Sequence, residues 1–121
     1  MAELFQRIDT IFIKVRDMDK AVEWYTKTLG LKLKWRNDEG GYAAIEIGGA
    51  PITFVLDKDN ENFRPYEESP FIIYVRDIEE ARNSLTAQNV QAGPIETLYD
   101  SKWFWFKDPD GNVARVCHYK E

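Results

Sequence analysis

A chain of 121 residues with 44% hydrophobic and 14% aromatic side chains carries enough apolar material for the core of one ordinary domain, which excludes a disordered chain. A net charge of −5 without a basic cluster excludes the phosphate neutralisation that nucleic-acid binding requires, and makes a neutral or cationic small molecule the expected partner. Cys117 alone cannot close an internal disulfide, no charged-then-apolar leader precedes the first strand, and apolar runs such as 70–75 fall far short of the roughly 20 residues of a bilayer span, so a cytoplasmic protein without a membrane span is expected.

The first expected strand alternates, with Ile11, Ile13 and Val15 on one face and Thr10, Phe12 and Lys14 on the other. The aliphatic face is the one a helix covers. Asp17 follows as a capping residue, and Ala21, Val22, Trp24, Tyr25 and Leu29 then recur at helical spacing up to Gly30, which sits where a C-terminal cap belongs. Three strand-like segments come next, over 31–36, 42–47 and 52–56, with Asn37-Asp38-Glu39-Gly40-Gly41 and Gly48-Gly49 as turns. In the middle segment Ala43, Ile45 and Ile47 form an apolar row, which sends Tyr42, Ala44 and Glu46 the opposite way. Residues 58–69 are polar, acidic and broken by Pro65, and read as a linker.

The pattern then starts again. Ile13-Lys14-Val15-Arg16-Asp17-Met18-Asp19-Lys20-Ala21 lies over Ile73-Tyr74-Val75-Arg76-Asp77-Ile78-Glu79-Glu80-Ala81, sixty residues later. Phe71, Ile73 and Val75 form the second helix-facing row, and Ile72 and Tyr74 point away from it. A helix from Ile78 to roughly Gln88 uses Ile78, Ala81 and Leu85. Strands follow over 90–95, 102–107 and 113–119, with Asp108-Pro109-Asp110-Gly111-Asn112 as a tight turn. The expected fold is α+β: one domain over 1–121, made of two tandem βαβββ modules at about 5–57 and 70–119. They form a curved, cup-like mixed sheet with helices on the outer face and a mixed polar and aromatic inner face left for a ligand.

These features together resemble the vicinal oxygen chelate superfamily, which includes glyoxalase I, fosfomycin-resistance enzymes, extradiol dioxygenases and bleomycin-resistance proteins. The resemblance is carried by Val15 to Asp17 and Val75 to Asp77, by Trp24-Tyr25 with Leu29-Gly30-Leu31, and by the Asp108-Pro109-Asp110-Gly111-Asn112 turn, and it spans essentially the whole chain. It implies metal ligands of His, Glu or Gln type at Thr10, Pro70, Arg115 and a position at or beside Thr53. None of these four is such a residue, whereas a catalytic divalent metal takes about three protein ligands from His, carboxylate or thiolate. No metal and no cofactor is therefore expected. The single His118 shares parity with Val116 and reads as a helix-side or strand-end histidine. Cys117 shares parity with Arg115, a cation that could activate a thiol, but a small buried apolar residue is the favoured reading.

The resemblance also implies that inner-face residues contact a ligand. Trp105, three residues before Asp108, is the foremost site residue, with Trp103 on the same face and Phe12, Tyr42, Ile72, Tyr74 and Tyr119 as further wall. The same aromatics could instead merely fill space between the modules. Polar candidates are Thr10, Lys14, Glu46, Thr53 and Arg115, with Glu46 and Arg115 either a structural ion pair or a charge pair that orients a ligand. The leading expectation is a metal-independent binding protein of bleomycin-resistance type, a homodimer that sequesters an antibiotic or other toxic organic compound, with no catalytic residue. A glyoxalase- or dioxygenase-like enzyme with an atypical site, using Glu46 as its only inward carboxylate, is the alternative. A ligand-free accessory or dimerisation domain is the third reading.

Overall fold

The computed structural model describes residues 4–49, 53–59 and 61–120. The chain divides into two compact units, Met1–Phe63 and Arg64–Glu121, and each repeats the order strand, helix, three strands. The α+β class and the βαβββ repeat expected from the sequence are both present. Among the described residues no helix is long and apolar enough to cross a membrane.

In the first unit β1 (Thr10–Val15) leads into α1 (Met18–Glu23), and β2 (Lys32–Asn37), β3 (Tyr42–Glu46) and β4 (Thr53–Lys58) return as a meander. The sheet order is β1-β4-β3-β2, with β1 and β4 parallel. The expected start of the last strand at Ile52 lies outside the described residues. Asp17 caps α1 by accepting from the Lys20 N–H at 3.2 Å, and the aliphatic row lies on the helix side: Ile13, Val15, Ile45, Leu56 and Ala43 are almost completely buried. Each such aliphatic burial is worth roughly 1.5–3 kcal/mol against exposure, so alternation alone fixes which face α1 covers.

The helix does not simply run on to Gly30. Residues Trp24–Thr28 form a π-helical turn in which the Leu29 N–H reaches the Trp24 carbonyl, and Tyr25 is buried with its ring 5.0 Å from that of Trp24. Gly30, at φ +72°, then lets the Leu31 N–H close onto the Tyr25 carbonyl at 3.1 Å. A second irregularity lies in β2, where the pairing slips between Leu33 and Trp35. The extra residue leaves Leu33 opposite Ile45 on the helix side but turns Trp35 to the other face, opposite Ala44. Arg36 therefore reaches α1, where it pairs with Asp19, and it pairs with Asp38 as well.

In the second unit β5 (Ile72–Tyr74), α2 (Ile78–Ala87), β6 (Glu96–Leu98), β7 (Ser101–Lys107) and β8 (Val113–Tyr119) form a sheet of order β5-β8-β7-β6. Asp77 caps α2 through the Glu80 N–H at 3.0 Å, as Asp17 does for α1. Ile78, Leu85, Phe104, Phe106, Ala114 and Val116 are buried on the helix side.

The strand expected over 90–95 is not one. Only Ala92 bridges to Phe106, and the ladder to β7 is taken up by Glu96–Leu98 instead. Two residues account for this. Arg82 of α2 donates to the Gly93 carbonyl at 2.7 Å, and Pro94 has no N–H to offer a ladder. Gly93 itself is pressed against Trp105: its N–H donates to the Trp105 carbonyl at 2.8 Å, and a Cβ on it would stand 2.2 Å from the indole Nε1.

The turn after β7 holds the unit's start to its end. Asp108 and Asn112 are buried yet fully engaged: Asp108 Oδ1 accepts from the N–H groups of Asp110 and Asn112, both at 2.9 Å, and its Oδ2 accepts from Asn112 Nδ2 at 3.0 Å. Asn112 Oδ1 then accepts from the Tyr66 N–H at 2.9 Å, and the Val113 N–H returns to the Tyr66 carbonyl at 2.9 Å. Replacing Asn112 with Ala removes the side-chain acceptor of the Tyr66 N–H and one donor to the buried Asp108 carboxylate, and urea denaturation should show a loss of about 1–3 kcal/mol. Gly93→Ala should cost a similar amount, about 1–3 kcal/mol, by pushing the Trp105 indole off its seat, and a shift in tryptophan emission should accompany it.

Candidate functional site

Strand pairing sorts the candidate residues onto the helix-free face of each sheet. In the first unit three rows cross that face: Thr10, Thr53, Glu46 and Lys32; Phe12, Val55, Ala44 and Trp35; Lys14, Asp57, Tyr42 and Asn37. Phe12 and Tyr42 bring their rings to 6.4 Å, and Phe12 is 52% exposed. Thr10 donates its hydroxyl to Asp9 Oδ2 at 2.8 Å, and Lys14 reaches Asp59 at 3.2 Å. The Asn62 N–H and then Lys14 hold the Asp59 carboxyl below the usual range. Glu46 lines a shallow hollow of about 330 Å³ with Gly30, Leu31, Lys32, Gly48 and Gly49.

In the second unit the rows are Ile72, Arg115 and Trp105, then Tyr74, Cys117, Trp103 and Glu96. Arg115 places its guanidinium carbon 5.0 Å from the centre of the Trp103 ring, and Lys107 approaches the Trp105 ring at 6.0 Å. Tyr74 gives its hydroxyl to the Tyr119 carbonyl at 3.1 Å, with the two rings edge to face at 5.0 Å. A groove of about 320 Å³ opens beside Trp103, walled by Ile72, Leu98, Tyr99 and Tyr119, with Ser101, Lys102 and Cys117 completing it.

These contacts give the two tryptophans different work. The Trp105 indole lies flat against Gly93, as part of the packing of the unit. Trp103 instead forms groove wall and carries the cation of Arg115. Cys117 is no activated nucleophile, because burial pushes its thiol up from the ordinary value and the guanidinium two residues away is engaged on the indole. His118 lies on the helix side, as its parity requires, with Nδ1 2.8 Å from the Val75 carbonyl.

The positions at which the resemblance implies metal ligands do not fit a catalytic divalent ion. Thr10 and Thr53 are register partners, and the counterpart of Arg115 in the first unit is Val55, since Val55 faces Phe12 as Arg115 faces Ile72. Hydroxyls, an isopropyl group and a guanidinium do not make up a set of carboxylate, imidazole or thiolate donors. Among the described residues no group of three or more His, Cys, Asp or Glu side chains gathers to hold a metal.

Sequence reasoning passed over Leu98 and Tyr99 of the groove because it placed the edge strand over 90–95 and left 96–101 as a connection. The β-favouring run Thr97-Leu98-Tyr99 was the available signal. It also passed over Trp35, whose face depends on the irregularity in β2. A polar hollow of about 480 Å³ in the first unit, lined by Arg16, Asp19, Arg36, Asp38 and Lys58 among others, had no sequence signal beyond scattered charge.

Comparison with known proteins places the fold and the family. A metallothiol transferase, FosB, from Staphylococcus saprophyticus is 27% identical over 132 residues, covering 98% of this chain and 86% of the relative. A crystal structure of a Glyoxalase/bleomycin resistance protein/dioxygenase superfamily member from Sphaerobacter thermophilus superposes with a TM-score of 0.86 at 25% identity, covering 96% of this chain and 99% of the other. The antibiotic binding protein TnmS3 from Streptomyces sp. CB03234 superposes at 0.85 with 20% identity, covering 98% and 100%. The family profile itself matches residues 7–116, and the chain belongs to the Glyoxalase/Bleomycin resistance protein/Dioxygenase superfamily.

Proposed function

We propose that this protein is a metal-independent binder of a small organic molecule, held on the helix-free face of the second unit. The observation that carries the reading is Arg115 lying over Trp103 beside an apolar groove, at the very position where the resemblance calls for a carboxylate ligand. A fixed cation there repels a divalent ion and provides hydrogen-bond donors for an organic ligand. An antibiotic or other toxic compound, bound in the cytoplasm, is the ligand class in this reading, supported by the fold shared with the Streptomyces antibiotic binding protein. On the helix-free face of the first unit, taken by itself, Phe12, Tyr42, Thr10, Thr53 and Glu46 are the contact residues in this reading, and Tyr74 and Trp105 support the face of the second. A homodimer is the assembly proposed with it; the exposed Phe12, Trp35 and Tyr42 leave apolar surface that association would cover.

A second reading, thiol transfer, is favoured by the 27% identity to the metallothiol transferase over almost the whole chain. Product formation from a thiol and an electrophile in the presence of manganese or zinc, by mass spectrometry, would establish it in place of the binding role.

Titration of bleomycin and a panel of planar aromatic antibiotics, followed by tryptophan emission, should yield a binder whose affinity is the same in chelator-treated and zinc-loaded protein; a requirement for metal would reject the proposal. Trp103→Ala should weaken that binder by about tenfold or more, while Trp105→Ala should mainly lower the melting temperature. Iodoacetamide at neutral pH should modify Cys117 more slowly than it modifies free cysteine, as followed by intact mass, because the neutral thiol is the favoured form.

A further inference from the structure

We infer that the ligand of the second unit's face is a planar organic anion, an aromatic carboxylate or phenolate, with its charge on the edge of the Arg115 guanidinium and its ring in the groove beside Trp103. This rests on the small-molecule reading above and adds the sign and shape of the ligand. A net charge of −5 points to a neutral or cationic partner, but long-range attraction and contact chemistry are separate matters. The groups at the face itself decide the second.

Those groups are few. By strand register, the charged side chains on this face are Arg115, Lys107 and, on the exposed edge strand β6, Glu96. Arg115 lies over the Trp103 ring with its guanidinium carbon 5.0 Å from the ring centre, a contact with the ring face that consumes none of its N–H donors in a conventional hydrogen bond. Among the described residues the Trp103 ring is its one partner, so no carboxylate or carbonyl accepts from it. Lys102, at the groove's rim, is already committed: it donates to Glu79 at 3.1 Å and holds that carboxyl below its usual range. Arg115 is thus the uncommitted cation at this groove, and a bidentate anion is the group whose geometry matches it.

The rest of the ligand follows from the walls. A groove of about 320 Å³ lies at the small end of ligand pockets, which run roughly 300–1,000 Å³, and suits a two-ring or three-ring aromatic body. Ile72 is 60% exposed and Tyr99 92% exposed, so both offer apolar area that such a body would cover. Tyr99 also sits at φ +56°, a conformation costly for a bulky residue, which holds its ring out at the rim. A cation in this groove would meet the Arg115 guanidinium beside it as a like charge. A neutral ring would cover the guanidinium without giving its donors an acceptor.

Three probes with one ring system and three charges test this: 2-naphthoate, 2-naphthamide and 2-naphthylmethylammonium, titrated by calorimetry and tryptophan emission at constant low salt. Naphthoate should bind about tenfold tighter than either of the others, and Arg115→Gln should abolish that preference, leaving naphthoate and the amide at one level on the same variant. Arg115→Lys should keep part of the preference, and if the Gln variant does not fold, the Lys variant and the three-probe comparison decide. Amide or ammonium binding as tight as naphthoate would overturn the anion and leave a small-molecule site standing. Failure of all three to shift any backbone amide resonance at millimolar concentration would overturn both. So would a dimer that excludes naphthoate and that Tyr99→Ser loosens, since a second copy would then be the groove's occupant.

Discussion

The parallel pairing of the first and last strand in each unit is the constraint from which the remaining structure follows. Two parallel neighbours cannot be joined by a tight turn, so the chain must leave β1 or β5 through a helix and come back as a three-strand meander. Asp17 and Asp77 mark where it leaves, each capping its helix immediately after the strand. Once β5 and β8 are aligned, Arg115 has Ile72 on one side and Trp105 on the other, and the period of two along the strands does the rest.

Much of this was legible in the residues, because caps and alternation are local signals. The faces of Thr10, Phe12, Tyr74, Trp103, Trp105 and Arg115 follow from parity, and the bounds of β8 coincide with those expected. What parity could not carry was any place where the count changes by one. The slip at Lys34 turns Trp35 to the face opposite Leu33, and the π-helical turn lengthens the end of α1 by a residue without any composition cue. The region over 90–95 failed for a different reason: its apolar residues look like a strand, but its carbonyls are claimed by an arginine from α2 and its backbone is flattened under an indole. Such a competition between partners far apart in sequence has no local trace.

The same contacts distinguish a packed aromatic from a groove-lining one, where the resemblance had put Trp105 ahead of Trp103. Trp105 has lost its freedom to the backbone beneath it, while Trp103, one pleat away on the same face, carries a cation and borders a groove. Family membership does not by itself decide between them, since one fold hosts many chemistries and the site must be argued from its own groups. The turn at Asp108 to Asn112 is a case in point: its polar side chains tie Tyr66 to the start of β8, and it serves the architecture of the unit.

A guanidinium where a carboxylate would otherwise stand changes how the face responds to its surroundings. A carboxylate there would draw cations and metal ions to the face, whereas the Arg115 guanidinium presents only donors. Its pull on any ligand is sensitive to ionic strength, because a partly exposed charge is screened over about 8 Å in physiological salt. The face behaves as an electrostatic fixture whose reach is set by the salt of the medium.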